Sequence, residues 1–420
     1  MIRDAISENT RYASNAGHRP TALDQQIARR FLAACEQVDT GRLTVVSPDG
    51  SRQHFGGNTP GPEAEIQIRD WAAIAAMAAR GDIGLGEAYI DGLWESPDLA
   101  ALTRLAFANE HAFAGHLHGS FLNRAVFLIT DRIMRRNSKT GSARNIRAHY
   151  DVGNAFYELW LDESMTYSSA LFASSDEPLE RAQARKYQRL LDATASGGGR
   201  TLEIGCGWGG FARAAADDGR DVTALTISPS QREFARRRLG NRADVQLRDY
   251  RDVSGTYDAI VSIEMIEAVG ERYWPAYFRK VRACLASHGR AALQAIVVQD
   301  DHFPDYRRRS DFIRHYTFPG GMLLSPGQIA AQASRAGLQA ENLFRFGQDY
   351  AETLRRWTHR FEAAAPAIGR LGYSQGFLRS WRFYLAICTA AFDMGRTDVV
   401  HVELSHASVS YTHLTLPTSK

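Results

Sequence analysis

The sequence predicts an α/β protein in which a small, mainly helical N-terminal module precedes a parallel sheet wrapped by helices on both faces. Two patterns and one number carry that prediction. Between Thr201 and Val298 short apolar strands alternate with helical stretches across tight connections, the pattern of a parallel sheet. From Asp70 to Ala108 apolar residues recur at helical spacing. A length of 420 residues also exceeds what one hydrophobic core usually fills.

Taken in order, Asp24 to Gln37 reads as a helix, Leu43 to Val46 as an extended piece, and the glycine- and proline-rich GGNTPGP as a loop or hairpin connection. In the helical module GDIGLG punctuates two or three short helices. Phe121, Leu122, Val126, Phe127, Ile129 and Ile133 then form an apolar stripe. Behind it, Arg132, Arg135, Arg136, Lys139, Arg144 and Arg147 stand against Asp131 alone. Two readings fit about equally: an amphipathic helix on an anionic lipid surface, or a packed helix with a solvated linker. The divisions expected are a module over 1–130, a basic linker over 131–148 and the sheet domain over 149–404.

Within that domain the strands are TLEIG, DVTALTI, ADVQLRD, YDAIVSI and GRAALQAIVV, and the helices are FARAAADD, SPSQREFARRRL and ERYWPAYFRKVRACLA. Such sheets bind ligands outside the carboxyl ends of their strands. From Asp300, two arginine-rich aromatic stretches and an apolar helix near Leu378 to Phe392 read as a cover over the open edge and the C-terminal face. The last stretch, 405–420, ends in a threonine-rich string that resembles a translated cloning adapter and stands outside the fold.

Composition narrows the class. With 44% hydrophobic and 23% charged residues and a net charge of +3, the chain has the profile of a soluble globular protein, and nothing points to nucleic acid. No apolar run approaches the roughly 18 residues that span a bilayer. The N-terminus lacks the plan of a secretory signal, so the cytoplasm is the expected compartment. Cys35, Cys206, Cys284 and Cys388 have neither metal nor disulfide spacing and are expected to be reduced thiols.

The chemistry concentrates after the strand TLEIG. The turn CGWGG holds Gly205, Gly207, Gly209 and Gly210 and runs straight into a helix, so the backbone can approach a ligand closely. A glycine loop alone is weak evidence. Here, however, Glu203 precedes the turn, and the spacing is not the GxGxxG of a pyrophosphate site. The second strand ends in LTISPSQ, offering Thr226, Ser228 and Gln231 where a dinucleotide binder carries an acid.

These residues resemble class I S-adenosylmethionine-dependent methyltransferases and, more narrowly, the cyclopropane-fatty-acyl-phospholipid synthase family. The resemblance runs in order through GLGEAYIDGLWESPDL, HYDVGNAFYELWLDESMTYSSALF, LEIGCGWGGFA, VTALTISPSQ, RDYRDV, IVSIEMIEAVG, FPGGMLLS and FGQDYAETLRRW, from about Asp82 to Leu404. It implies a class I Rossmann-like sheet. It also implies that Tyr167, Ser168, Glu203, Gly205, Gly207, Trp208, Thr226, Gln231, Asp249 and Tyr250 surround S-adenosylmethionine. Aromatic faces such as Tyr167 and Trp208 suit its sulfonium, at about 0.5 to 2 kcal/mol. Asp249 suits an adenine amino group. Trp208 and Tyr250 also suit plain packing.

For the acceptor, the resemblance implies methyl transfer to the double bond of an unsaturated acyl chain of a membrane phospholipid, at the membrane's cytoplasmic face. A base must then remove a proton, and the resemblance implies a bicarbonate held by a cysteine, a glutamate, a histidine and a tyrosine. Glu267 matches the glutamate and Tyr350 the tyrosine. Ser169 stands at the cysteine and Gln294 at the histidine, and Ala268 replaces a further histidine. Glutamine cannot titrate. The leading outcome is a cyclopropane; loss of the proton without ring closure, giving a methylene or methyl branch, is the alternative. Further alternatives are an N- or O-methyltransferase on a soluble amphiphile, because the same fold serves amine acceptors, and a lipid-surface binding protein without turnover. His149 and Asp151 of HYDVG read as a cofactor-lid motif or as capping and packing, and His149 is left out of the catalytic set. A homodimer is compatible with all of this.

Overall fold

A computed structural model of the chain describes residues 22–117, 152–195 and 199–407. The apolar stripe at Phe121 to Ile133, the basic linker, His149 and Asp151 lie outside the described residues.

The N-terminal region combines helices with a sheet. Helix α1 (Ala22–Cys35) is followed by β1 (Thr40–Val46), β2 (Arg52–Gly56) and β3 (Thr59–Ile68). Then come α2 (Ala72–Arg80), α3 (Asp82–Ile90), β4 (Trp94–Glu95), α4 (Leu99–Ala108) and α5 (Glu110–Leu117). The strand order is β2-β1-β3-β4, with β1 antiparallel to β2 and parallel to β3. GGNTPGP is therefore neither a hairpin nor a loop throughout: Gly56 ends β2, Thr59 to Pro62 begin β3, and Gly57 and Asn58 alone carry the chain across from one side of β1 to the other. Nor does GDIGLG punctuate as expected. Only Gly81, at φ 66°, breaks the helix, and Asp82–Ile90 is helical throughout. Gly86 is there for space, since a Cβ on it would meet the Phe312 ring at 2.4 Å.

After α6 (Asn154–Glu158) and α7 (Leu179–Ala193) the main sheet begins. Its strands are β5 (Arg200–Ile204), β6 (Asp221–Thr226), β7 (Ala243–Leu247), β8 (Tyr257–Ile263), β9 (Leu285–Val298), β10 (Leu338–Arg345) and β11 (Thr397–His406). Between them run α8 (Gly210–Asp217), α9 (Pro229–Leu239), α10 (Trp274–Cys284), α11 (Phe303–Arg308), α12 (Pro326–Arg335), α13 (Gly347–Arg370) and α14 (Gln375–Asp393). The order is β10-β11-β9-β8-β5-β6-β7, and β5 to β9 are parallel as the alternation predicts. Helices on both faces explain the continuous apolar runs: Leu202, Ile204, Ile260 and Val261 are all buried.

The open edge of β9 is covered by two antiparallel strands, β11 and then β10, which makes the sheet mixed. Helices α13 and α14 close the C-terminal side. The N-terminal region packs on them, for Leu43 and Trp94 share one buried cluster with Trp160, Phe361 and Trp381. Arg379 of α14 reaches Glu95 at 2.6 Å. Among the described residues no helix is long and apolar enough to cross a membrane.

This topology fixes where a ligand can sit. The chain leaves β5 toward β6 and β7 on one side, then returns to β8 on the other. The crevice beyond the carboxyl ends of β5 and β8 is the switch point.

Candidate active site

A cavity of about 350 Å3 opens at that switch point, and all ten residues predicted to surround the cofactor line it. Its first wall is built from the turns after β5 and β6. Gly205 takes φ 86°, a left-handed conformation, and a Cβ there would stand 2.7 Å from Met265 Cγ. The main-chain N–H groups of Gly205 and Cys206 both donate to Leu225 O, tying the turn to β6. After β6, Thr226 donates its hydroxyl to Gln231 Oε1 at 2.9 Å and accepts from Ser228 N. Tyr167 stacks on Trp357 at 5.2 Å. Trp208 is buried, its indole N–H donating to Asn154 Oδ1 at 2.8 Å. Asp249 is held in place by Arg251, whose guanidinium binds both of its oxygens at 2.8 and 2.6 Å.

The second wall follows β8 and β9, and its centre is Glu264, a residue not foreseen. Three donors converge on its carboxylate. Ser169 N and Gln294 Nε2 reach Oε1 at 2.9 and 2.7 Å, and the Tyr350 hydroxyl reaches Oε2 at 2.6 Å. Burial pushes this carboxyl up, while the Tyr350, Ser169, Lys186 and Gln294 groups pull it back. Its backbone sits at φ 46°, a left-handed conformation that costs a side-chain-bearing residue about 1 kcal/mol. Three predicted residues, Ser169, Gln294 and Tyr350, are thus brought together, but around Glu264. Of these only Tyr350 lines the cavity. The Ser169 hydroxyl itself donates to Ala170 O.

Glu267, the predicted glutamate, lines the same cavity but keeps different company. Its Oε1 accepts from Ile296 N at 2.6 Å, and its buried Oε2 has no partner among the described residues. Burial, and then the neighbouring Glu264, push its carboxyl up to about 8. At neutral pH Glu267 therefore holds a proton, whereas Glu264, equally buried, has three donors and a nearby ammonium that favour its charged form. Near Glu264 lies Lys186, fully buried on α7, whose ammonium donates to Ser168 Oγ at 2.7 Å. Burial drives its pKa down to about 7 against the pull of Glu264, Asp162 and Glu203.

The sequence pattern of the family described as mycolic acid cyclopropane synthetase matches residues 137–402. The chain belongs to that family. It is 36% identical over 372 residues to the tuberculostearic acid methyltransferase UfaA1 of Mycobacterium tuberculosis, covering 85% of this chain and 86% of the relative. It is 33% identical over 338 residues to the cyclopropane-fatty-acyl-phospholipid synthase of Escherichia coli, covering 78% and 84%. The crystal structure of mycolic acid cyclopropane synthase CmaA1 complexed with SAH and CTAB is similar at a TM-score of 0.59 and 28% identity, over 62% of this chain and 97% of that one. This mycolic acid cyclopropane synthetase family member is an S-adenosylmethionine-dependent fatty acid methyltransferase of the class I fold.

The first wall fits that cofactor. Glu203 Oε2 and the Tyr250 hydroxyl, both on lining residues, are buried without a partner among the described residues, as acceptor and donor groups for a ligand would be. Glu203 sits 2% exposed, and burial pushes its carboxyl up to about 8 while Lys186 pulls it down. A cationic ligand beside it would favour its charged form. Two signals in the sequence could have found the second wall. Glu264 is the acid directly after the strand YDAIVSI, at its carboxyl end. Lys186 lies on the buried face of α7 with Leu179, Ala182 and Leu190, an unlikely place for a charge without a partner.

Proposed function

We propose that the enzyme methylates the double bond of an unsaturated acyl chain of a membrane phospholipid, at the membrane's cytoplasmic face, and leaves a methylene branch instead of a ring. The observation that carries this is the Glu264 carboxylate held by Ser169 N, Gln294 and Tyr350. Those donors are the ones that would hold a bicarbonate, and a built-in carboxylate already engages them. Bicarbonate does not fit this arrangement, and no step is drawn through it.

When bound, S-adenosylmethionine supplies an electrophilic methyl group, which an alkene accepts by placing a positive charge on its other carbon. The chain's residues must then keep water out and take a proton. Ile313, Phe318, Met322, Leu323, Ala391 and Phe392 give the cavity an apolar side suited to a hydrocarbon chain. A hydride shift within the chain moves the charge to the methyl-bearing carbon. Glu264 accepts a proton from that methyl group, and the C–H electron pair forms the C=CH2 double bond of the methylene branch. Tyr350 and Gln294 keep the carboxylate aimed, and Glu267, protonated, leaves Glu264 as the ionised member of the pair. A methyl branch then requires a separate reductant. The likeness to a tuberculostearic acid methyltransferase supports the branched outcome, and the likeness to cyclopropane synthases supports the alkene as acceptor.

The test is mass spectrometry of fatty acids from a host lacking its own synthase, fed methyl-deuterated methionine. The expected product is a labelled acyl chain, one carbon heavier, that takes up hydrogen under mild conditions. Labelled chains that resist hydrogenation as rings do would overturn the branching. No labelled chain at all would overturn the alkene as acceptor and favour a soluble amphiphile.

A further inference from the structure

Gln294 and His401 face each other in direct register on the antiparallel strands β9 and β11. An amide side chain has two ends, and here each meets a different partner. Gln294 Nε2 donates to Glu264 Oε1 at 2.7 Å, and Gln294 Oε1 lies 2.9 Å from His401 Nε2. An ionised carboxylate only accepts, so the amide nitrogen has to face Glu264. The carbonyl end then faces His401, which has to donate. The imidazole therefore carries its proton on Nε2.

His401 is well placed to be a fixed donor. It is 3% exposed, and its Nδ1 has no hydrogen-bond partner among the described residues. The Phe346 ring packs edge-on against it at 4.7 Å, with Phe344 at 6.2 Å. Burial first, then the nearby Arg189 and Lys186 cations, push its pKa down to about 3, so it stays neutral. It does not gain a second proton, and the two phenylalanine rings pack against it.

From these contacts we infer that His401 is a positioning residue for the base: its Nε2–H locks the Gln294 amide so that Gln294 always donates to Glu264. Without that lock the amide is free to rotate, and rotated it would set its oxygen against the carboxylate. The inference rests on Glu264 as the base. The groups facing Glu264 are Tyr350 from α13, Lys186 from α7, Gln294 from β9, the Ser169 N–H and Glu267 from its own turn. Those facing His401 are Arg189 and Lys186, both from α7, and Gln294.

His401→Phe keeps the bulk and removes the donor. In the folded variant kcat at neutral pH should fall about tenfold, as expected for loss of one hydrogen bond acting on a charged group, while KM for S-adenosylmethionine holds. The acid limb of the kcat profile should move to higher pH, because Glu264 has lost a donor to its ionised form. His401→Gln returns an amide donor toward Gln294 and should recover most of kcat and restore the limb. A folded His401→Phe with the wild-type limb and rate, or His401→Gln no better than His401→Phe, would overturn the inference. Nitrogen NMR of the histidine-labelled wild-type enzyme reads the tautomer whether or not the variants fold. Protonated Nε2 throughout the active pH range is expected, and protonated Nδ1 or a titration in that range overturns the lock. Glu264→Gln separates the two failures: full activity in it sinks the base itself, whereas an inactive Glu264→Gln beside a normal His401→Phe sinks only the role of His401.

Discussion

The wall of the cavity that follows β5 and β6 takes its shape from main-chain turns, whereas the wall that follows β8 and β9 takes its shape from buried side chains. In the first, Thr226 bonds to Gln231 five residues on, and Gly205 and Cys206 bond to Leu225 O at the end of the adjacent strand. In the second, Glu264 is held by groups from the loop before α7, from β9 and from α13, up to 95 residues away in sequence. A turn made of neighbours forms wherever its local sequence forms. A carboxylate caged by distant donors exists only when the whole sheet and its covering helices are in place, and low dielectric makes each missing partner costly. The first wall suits a ligand that must be held in one pose. The second suits a proton that must be taken at one atom.

The sharpest way to break this contrast is Glu264→Gln, which keeps the shape and removes the base. Product formation should fall by a factor on the order of a hundred or more while S-adenosylmethionine affinity, measured by calorimetry, stays within a few-fold. Glu264→Gly should be equally inactive and less stable to urea by about 1 to 3 kcal/mol, since the strain relieved at φ 46° is smaller than the cost of leaving the Ser169 N–H, Gln294 and Tyr350 donors without their acceptor. Next in size is Lys186→Met. Removing a buried cation raises the carboxyls it faces, so activity should drop about tenfold on the acid side and recover as pH rises. A uniform loss across the pH profile would mean that Lys186 only packs α7 against Ser168. On the first wall, Gly210→Ala drives a Cβ to 2.4 Å from the hydroxyl of buried Tyr187, which is bonded to Thr166. It should lower stability by about 1 to 3 kcal/mol in a urea melt and leave the pH profile unmoved.

The same contrast explains what was legible in the sequence. The parallel strands and the glycine turn show themselves because their apolar runs and glycines are contiguous. The N-terminal sheet does not, because β2 is almost wholly exposed and β3 buries only its last residues, so neither shows an apolar alternation. β10, buried only at Leu338, is hidden for the same reason. In EMIEAVG two glutamates stand three apart, and resemblance favours Glu267 although Glu264 is the one at the strand end. His401 carries no sequence signal at all: it meets Gln294 only through the pairing of β11 with β9, and that pairing is a property of the folded sheet.

The smallest expected effect separates those two glutamates. Burial raises the Glu267 carboxyl from 4.5 to about 8, so the folded protein holds a proton there that the unfolded chain releases above about 4.5. Between those two values the native state binds more protons than the unfolded state, and stability from this residue must decline as pH rises through that window. Glutamine mimics the protonated form and can keep an oxygen for the Ile296 N–H. Glu267→Gln should therefore flatten the loss of stability on going from pH 5 to pH 8 in urea melts, while activity falls only a few-fold. If instead it abolishes turnover and leaves the slope unchanged, Glu267 is ionised in the folded enzyme, and the base belongs three residues further along the chain than Glu264.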